Sequence, residues 1–209
     1  MASSDPAQPC RIGVMGGTFD PIHHGHLIAA EAVRDELRLS QVLFIPAGRP
    51  PHKINRRVSP AEHRVAMVRL AVAENPYFRV STVEINREGP SFTVDTMRQL
   101  RRELGDESKL YFITGADAVL ELLTWKDPLK IFEYCQLVAV ARPGCEPDDL
   151  NRMIAEVARS GGVVHRLAIP GVAISSSNIR RRVNEGRSIR YLVPDAVGEY
   201  IGRTGLYRE

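Results

Sequence analysis

The sequence predicts an α/β fold in which a mainly parallel sheet carries helices on both faces. Short apolar runs rich in Val, Ile and Leu alternate with longer segments whose apolar residues recur at helical spacing, which is typical of βα units. The first run, residues 11–15, stops at Gly16 and Gly17, and helical spacing begins near His24 or Gly25. Polar clusters follow several of the predicted strands. Together these observations favour a doubly wound, Rossmann-like arrangement with ligands beyond the carboxyl ends of the strands.

The elements of the first half follow from hydrophobic spacing and capping signals. After the first helix, Gln41–Pro46 is a short β-branched and aromatic run closed by proline, which predicts the second strand. Residues 47–58 are rich in Pro, Gly, Arg and Lys and predict a surface loop. Ser59 and Pro60 then predict a helix with an N-cap serine and a proline in its first position. Residues 78–85 predict one or two short strands.

The second half continues the alternation. Thr93 predicts the N-cap of a helix over residues 94–104, and the apolar run at 110–114 predicts a buried strand. The remaining predictions are helices at 118–123, 128–134, 147–159 and 194–201, strands at Gln136–Ala141 and 163–167, and a basic helix opened by the serines that follow Ile174.

Length and composition indicate one folded domain. The 209 residues are 44% hydrophobic and 25% charged, so the chain can bury a sizeable core, whereas two full domains would be cramped. We assign residues 11–209 to this domain, with 171–209 as a C-terminal helical part, and expect residues 1–10 to form a disordered tail. The apolar runs are too short to predict a signal peptide or a membrane helix.

Charge and cysteine content narrow the class of protein and its compartment. A net charge of +3 is compatible with phosphate-bearing substrates but too small to indicate nucleic acid by itself. Cys10, Cys135 and Cys145 are odd in number and contain no C-x-x-C pair, which disfavours a disulfide framework and a zinc knuckle. Reduced thiols in the cytoplasm fit this pattern best.

The stretch 16–26 predicts a phosphate-binding site. It places a helix N-terminus, with free N–H groups and a positive dipole end, directly after a strand. Gly16 and Gly17 are expected to allow unusual backbone angles and close approach of a ligand. His23 and His26 are three residues apart, so both rings can lie near one phosphate and donate to an oxygen that gains charge in a transition state. Surface histidines or zinc ligands are the alternatives, and zinc is disfavoured because no cysteine lies nearby to complete a closed site.

Two further polar clusters begin predicted helices. Asp117 follows the strand at 110–114 by one turn, where its carboxylate can accept hydrogen bonds from a ribose hydroxyl or cap the next helix. The serines at 175–177 precede Arg180 and form a helix N-terminus rich in hydroxyl and N–H donors. Taken alone, such a serine cluster is equally typical of a structural cap.

Together these motifs resemble a known family. The residues Gly-Gly-Thr-Phe-Asp-Pro-Ile-His-His-Gly-His at 16–26 are similar to the first signature of the nucleotidyltransferases that share an H-x-G-H motif with class I aminoacyl-tRNA synthetases. Residues 174–180 resemble the second signature of that branch, I-S-S-T-x-I-R, with Ser177 where threonine is more frequent; the hydroxyl is kept. Over about residues 11–207 the chain most resembles the bacterial nicotinate-nucleotide adenylyltransferases. Supporting stretches lie at 50–53, 62–64, 89–93, 115–117, 125 and 142–144.

The resemblance implies adenylyl transfer from ATP to nicotinate mononucleotide in NAD biosynthesis, giving nicotinate adenine dinucleotide and pyrophosphate. It implies Mg²⁺ held by the substrate phosphates and by no protein side chain, no nucleic-acid or membrane partner, and leaves a homo-oligomer open. The implied catalytic residues are His23, His26 and Arg180. The implied ATP-binding residues are Gly16, Gly17, Thr18, Phe19, His23, His26, Gly115, Asp117, Ser176, Ser177 and Arg180.

The resemblance also implies where the acceptor binds. Lys53, beside His52, would reach the phosphate of nicotinate mononucleotide, and Trp125 would stack on the pyridine ring. Thr93 and the backbone of Lys126 would receive the nicotinate carboxylate. A lone tryptophan is otherwise more typical of a core, although the neighbours of Trp125 in the sequence are polar.

Three alternatives remain at this point. The same chemistry with another acceptor, such as phosphopantetheine or glycerol phosphate, uses a similar first signature, but the resemblance implies threonine in place of His23 there. An oxidoreductase that binds a finished dinucleotide is disfavoured because the run ending at Gly16 and Gly17 lacks a third glycine before the helix. A non-catalytic nucleotide-binding protein on the same fold is the third alternative, since a fold alone does not prove turnover.

Overall fold

The computed structural model describes residues 10–50, 58–141 and 148–208. Its strands are β1 (Arg11–Gly17), β2 (Gln41–Pro46), β3 (Phe78–Val80), β4 (Lys109–Gly115), β5 (Gln136–Ala141) and β6 (Val164–Ala168). Its α-helices are α1 (His24–Glu36), α2 (Ala61–Val72), α3 (Thr93–Leu104), α4 (Ala116–Leu120), α5 (Asp148–Arg159), α6 (Ser176–Asn184) and α7 (Asp195–Thr204). In addition, 3-10 helices span Leu122–Thr124 and Pro128–Glu133.

The strands form one sheet in the order β3-β2-β1-β4-β5-β6, and every neighbouring pair is parallel. The chain therefore starts in the middle of the sheet, runs to one edge, and returns to add β4 on the other side of β1. The carboxyl ends of β1 and β4 thus flank the point where strand order reverses, which is where ligands bind in open α/β sheets. The predicted α/β, doubly wound arrangement is confirmed.

The sheet separates two large groups of buried side chains. Because successive side chains of a strand point to opposite faces, Met15 packs with α1, α2 and α7, while Val14 packs with α3 and the 3-10 helices. Ile179 of α6 joins the same cluster as Met15, so the C-terminal helices cover the face of the sheet that α1 covers. Across the described ranges, no helix combines the length and apolar character that crossing a membrane requires.

Two predicted helix starts are wrong by one residue. Pro60, not Ser59, is the N-cap of α2, and Phe92, not Thr93, is the N-cap of α3. Ser59 is held by tertiary contacts instead: its N–H donates to Asp20 Oδ2 at 3.2 Å, and its carbonyl accepts Arg64 Nε at 2.9 Å. Nothing in the sequence near Ser59 points to Asp20, which lies 39 positions earlier.

Three segments are shorter or more irregular than predicted. β3 has only three residues and ends at Val80, so most of 78–85 lies outside the sheet. The helix predicted at 118–123 begins and ends earlier, at Ala116 and Leu120, and the one predicted at 128–134 is a 3-10 helix. Asp127 has the left-handed φ of 45° immediately before that helix, which fixes a turn there. Of the predicted tail, only Cys10 is among the described residues.

Candidate active site

A cleft of about 310 Å³ opens at the carboxyl ends of β1, β4 and β5. Its polar lining includes residues of both predicted signatures, because the first residues of α1 and of α6 border it. Apolar side chains, among them Ile113, Val140 and Val172, form the remaining walls. The sequence-predicted residues that line the cleft are Gly16, His23, His26, Gly115 and Ser176.

His23 and His26 form one unit at the start of α1. His23 is the N-cap residue and is only 5% exposed, and the two rings stack with centroids 3.7 Å apart. The backbone N–H of His23 donates to Nδ1 of His26 at 3.2 Å. Because Nδ1 of His26 accepts this bond, the proton of the neutral ring lies on Nε2. The ring of Phe19 packs edge-on against His26, with centroids 5.1 Å apart.

The glycine pair serves packing rather than unusual backbone angles. Positive φ occurs at Phe19, with φ 49°, and at neither Gly16 nor Gly17, so the expectation of unusual angles at the two glycines is wrong. A Cβ on Gly17 would lie 3.0 Å from the Phe19 ring, and one on Gly16 would lie 3.3 Å from the Phe112 ring. Two aromatic rings therefore occupy the space that larger residues would need.

The second signature is hydrogen-bonded to the first. Ser175 caps α6 by accepting the N–H of Asn178 at 3.2 Å. Ser176 Oγ donates to the carbonyl of Pro21 at 2.9 Å, and Arg180 Nη1 donates to the carbonyl of Asp20 at 2.6 Å. These bonds join residues 155 or more positions apart and hold the start of α6 against the loop between β1 and α1.

Comparison with known proteins places the chain in a family. The sequence profile described as cytidylyltransferase-like matches residues 14–182. A protein from Moorella thermoacetica, named probable nicotinate-nucleotide adenylyltransferase, is 52% identical over 96% of this chain and 93% of its own length. One of the same name from Thermus thermophilus is 52% identical over 95% of this chain and 100% of its own. The chain belongs to the nicotinate-nucleotide adenylyltransferase family.

One solved structure of another protein has the same fold as this chain. Plasmodium falciparum nicotinic acid mononucleotide adenylyltransferase complexed with NaAD covers 94% of this chain and 97% of its own length, with a TM-score of 0.77. The two sequences are 17% identical, so the likeness concerns the fold alone. As a member of the adenylyltransferase family, the chain is a nucleotidyltransferase.

The predicted acceptor residues that the structure describes lie close together beside α3. Trp125 is half-buried, with its ring edge-on to Phe112 at 6.1 Å between centroids, so it is both a packing residue and partly accessible. Lys126 Nζ contacts Asp95 Oδ2 in the first turn of α3 at 2.9 Å, and Thr93 is the first residue of that helix. The Trp125 N–H donates to the carbonyl of Leu122 at 3.0 Å, which leaves the Lys126 N–H as the predicted donor for a carboxylate.

The remaining described site residues, among them Asp117, Ser177 and Phe19, do not line the cleft. Asp117 is exposed in the first turn of α4, whose N-cap is Gly115, so Asp117 does not cap the helix. Ser177 lines a neighbouring cavity of about 560 Å³ together with Arg180. Phe19 is buried, and the edge-on contact between its ring and the His26 ring helps to fix the orientation of His26. The Thr18 carbonyl accepts Arg64 Nη1 at 3.0 Å.

Several predicted positions lie outside the described residues. These are His52 and Lys53 of the acceptor site, the stretch 142–144 and Cys145. Their predicted roles stay predictions.

Sequence reasoning gave no role to three polar residues around the first signature: the buried Asp20 and Arg64 and the partly buried Tyr207. Asp20 is 3% exposed and Arg64 is 2% exposed, and Tyr207 donates to Asp20 Oδ1 at 2.7 Å. Arg64 had a detectable signal, because it interrupts the apolar face of α2 between Pro60 and Val65. Tyr207 had none, since nothing near the C-terminus points to the loop after β1.

The donor set of the cleft fits an anion rather than a bare cation. Among residues 10–50, 58–141 and 148–208, no group of three or more His, Cys, Asp or Glu side chains lies close enough together to hold a metal ion. The imidazoles of His23 and His26 and the backbone N–H groups at the starts of α1 and α6 are donors, and they complement phosphate oxygens.

Proposed function

We propose that the chain transfers the adenylyl group of ATP to nicotinate mononucleotide. An oxygen of the 5′-phosphate attacks the α-phosphorus of ATP, the bond from that phosphorus to the oxygen bridging to the β-phosphate breaks, and pyrophosphate leaves. The product is nicotinate adenine dinucleotide. No protein nucleophile is needed, so the work of the chain is to position two phosphates and stabilise the charge that develops between them.

The observation that carries this proposal is the convergence of two helix N-termini on one cleft. His23 and His26 at the start of α1 and Ser176 at the start of α6 line the same space. Each helix start presents backbone N–H groups and a positive dipole end. An elongated polyanion with phosphates in sequence, such as a triphosphate, matches two such ends better than a single phosphate does.

The histidine pair supplies donors for the α- and β-phosphates. With Nδ1 of His26 bound to the His23 N–H, Nε2 of His26 is the proton-bearing nitrogen, fixed in orientation by the stacked His23 ring. A preorganised donor needs no reorientation as charge grows on the phosphoryl oxygens, which is the main source of catalysis in such sites. We therefore assign to His23 and His26 the stabilisation of charge on the phosphoryl oxygens in the transition state. Gly16 and Gly17 are assigned to ATP binding, because residues without a side chain allow close approach of the ligand.

Arg180 and the serines at the start of α6 bind the β- and γ-phosphates of ATP. A guanidinium has five N–H donors, of which one reaches Asp20 O and another lies 3.4 Å from Ser177 Oγ. The others suit phosphate oxygens in the neighbouring cavity that Arg180 and Ser177 line. Gly115 ends β4 and Asp117 follows in the first turn of α4; we assign both to ATP, with the Asp117 carboxylate accepting hydrogen bonds from the ribose. Lys53, with His52, Thr93, Trp125 and Lys126, serves the acceptor.

Magnesium fits this site as an ion carried by the substrate. When bound to the triphosphate, it neutralises charge on the leaving pyrophosphate. The donors around the cleft then orient the remaining phosphate oxygens.

The test is an assay of pyrophosphate release with purified protein, ATP and one acceptor at a time. Nicotinate mononucleotide should support turnover far better than nicotinamide mononucleotide, phosphopantetheine, or glycerol phosphate with CTP. Turnover with one of the other acceptors alone would reassign the substrate. ATP binding without release of pyrophosphate from any pair would identify a nucleotide-binding protein that lacks catalysis.

A further inference from the structure

The cavity of about 560 Å³ beside the cleft extends from the start of α6 to the last described residues of the chain. Ser176 lines the cleft, and Ser177, the next residue, lines this cavity, so both spaces border the first turn of α6. On its far side the cavity is lined by residues 204–208, which follow α7 or end it. A ligand that leaves the cleft past α6 therefore reaches the C-terminal residues.

Positive charge exceeds negative charge around this cavity. Its described lining contains a single carboxylate, Asp20, and three arginines, Arg180, Arg181 and Arg208. Both oxygens of the carboxylate accept hydrogen bonds, from the N–H of Ser59 and the hydroxyl of Tyr207. Glu185, outside the lining, lies 3.9 Å from Arg181 Nε and offsets part of its charge. The remaining excess, from Arg180 and Arg208, favours an anion.

The backbone that leads to Arg208 has a defined conformation. Gly205 is the C-cap of α7, with a left-handed φ of 70°, and its carbonyl accepts the N–H of Arg208 at 3.3 Å. Tyr207 also has a left-handed φ, of 66°, which is uncommon for a residue with a side chain. Such a conformation persists only where surrounding contacts fix it, and here the Tyr207 hydroxyl is bound to Asp20.

Asp20 brings the end of the chain close to Arg180. Its carbonyl accepts Nη1 of Arg180 at 2.6 Å, and its carboxylate accepts the hydroxyl of Tyr207 at 2.7 Å. Arg180 and the residue just before Arg208 thus contact the same residue. This explains why two arginines from separate helical segments line one cavity.

We propose that Arg208 binds the γ-phosphate of ATP and the corresponding phosphate of the pyrophosphate product. The inference rests on the proposed function, which puts the α-phosphate at His23 and His26. A triphosphate that runs from there past the start of α6 has its terminal phosphate in the cavity. A terminal phosphate has two ionisable oxygens and carries the most negative charge of the three. A guanidinium binds such a group through paired N–H donors.

The test measures the binding of ATP and of AMP by calorimetry, with Mg²⁺ and without acceptor. AMP ends at the α-phosphate, so the proposal predicts that only ATP contacts Arg208. Arg208→Gln should raise the Kd for ATP about tenfold, as expected for loss of one charge-assisted hydrogen bond. The Kd for AMP should change less than twofold. Arg208→Lys keeps the charge without the paired donors and should recover part of the affinity for ATP.

Arg203→Gln is the matched control. Arg203 is exposed near the end of α7, with its guanidinium over the Tyr200 ring at 5.7 Å, and does not line the cavity. It removes the same charge from the same part of the chain and should leave the Kd for ATP within about twofold. An unchanged Kd for ATP in a folded Arg208→Gln protein, equal rises for ATP and AMP, or an equal rise in Arg203→Gln would overturn the inference.

Kinetics separate this inference from the proposed function. In the forward reaction, Arg208→Gln should raise the KM for ATP about tenfold and leave that for nicotinate mononucleotide within about twofold. In the reverse reaction, it should raise the KM for pyrophosphate and not that for nicotinate adenine dinucleotide. A wild-type protein that binds ATP but releases no pyrophosphate with any acceptor would overturn the proposed function. The comparison of ATP with AMP would still decide the role of Arg208.

Discussion

The hydroxyl of Tyr207 donates a hydrogen bond to Oδ1 of Asp20 at 2.7 Å, across 187 positions of the sequence. The other carboxylate oxygen of Asp20 accepts the N–H of Ser59, and its carbonyl accepts Arg180 Nη1. Burial, followed by the charge of Asp20, raises the pKa of Tyr207, so the phenol remains a proton donor at any physiological pH. Three distant parts of the chain therefore hold the loop between the first-signature glycines and histidines.

Replacing Tyr207 by phenylalanine should loosen this loop. The ring is kept, but the buried carboxylate of Asp20 loses one of its donors, which costs about 1–3 kcal/mol in the free energy of unfolding. The KM for ATP should rise as well, since the loop leads directly to His23. Urea unfolding and ATP titration of the initial rate measure the two effects.

Tyr200→Phe is the control for that variant. Tyr200 lies on α7, and its hydroxyl bonds His63 Nδ1 at 2.8 Å, away from the first signature. It should reduce stability without changing the KM for ATP. If both variants shift ATP binding equally, the Tyr207 contact has no specific role at the loop.

Arg64 should be among the most sensitive positions for stability. The residue is 2% exposed, and its guanidinium donates to the carbonyls of Ser59, Thr18 and Ala47 at 2.7–3.0 Å. Burial lowers its pKa, yet a guanidinium stays protonated. Arg64→Met leaves three inward-facing carbonyls without their donor and should cost about 3 kcal/mol or more, measured by urea unfolding. Arg69→Met, at an exposed position of α2, should cost little, and a similar loss there would contradict the assignment.

The sheet could be predicted because its central strands carry their own signal. Gln41–Pro46 and Gln136–Ala141 are apolar, β-branched runs long enough to cross the sheet, and a parallel strand buried on both faces has this composition. The strand ends then located the cleft, since ligand sites in such sheets follow from topology. His23, His26 and Ser176 come together for that reason.

The support around the cleft could not be predicted, because it depends on contacts between distant residues. The sequence predicts Ser59 as a helix N-cap, but in the structure its N–H donates to the carboxylate of Asp20, 39 positions earlier. Glu84 has the position of one polar residue in an alternating strand, whereas its hydrogen bond from Thr96, which itself accepts one from Arg87, makes it part of a buried network. The spacing of apolar residues indicates the periodicity of a single helix or strand. It does not indicate which loops come into contact in the folded chain.

His26→Ala should reduce kcat by about 100-fold, since loss of one preorganised donor to transition-state charge has an effect of this size. Stability should fall only slightly, because the lost bond to the His23 N–H lies at a helix end. His24→Ala is the control in the same turn of α1 and should retain most of the turnover. Rates of pyrophosphate release at saturating ATP decide it: a kcat near that of the wild type would remove His26 from the mechanism.

The stability of Glu84→Gln relative to wild type should depend on pH. Because burial raises the pKa of Glu84 in the folded protein above its ordinary value of 4.5, the folded state binds the proton more tightly than the unfolded chain does. The resulting stability is present below pH about 4.5 and is lost as pH rises through the folded pKa. Glutamine has no such dependence, so the Tm of the variant minus that of wild type should increase from pH 4 to pH 7. A constant difference would show that Glu84 has no raised pKa.

Replacing Trp125 tests the proposed pyridine pocket. Its ring packs edge-on against Phe112 and is half-buried, so Trp125→Ala should lower stability somewhat while the protein stays folded. If the accessible part of the indole stacks on the nicotinate ring, the KM for nicotinate mononucleotide should rise about 10- to 100-fold, since stacking of a base on an aromatic ring contributes about 1–3 kcal/mol. The KM for ATP should hardly change. Trp125→Phe, which keeps an aromatic face, should recover part of the acceptor affinity. Equal losses for both substrates, or no recovery by phenylalanine in a folded protein, would make Trp125 a packing residue and place the pyridine ring elsewhere.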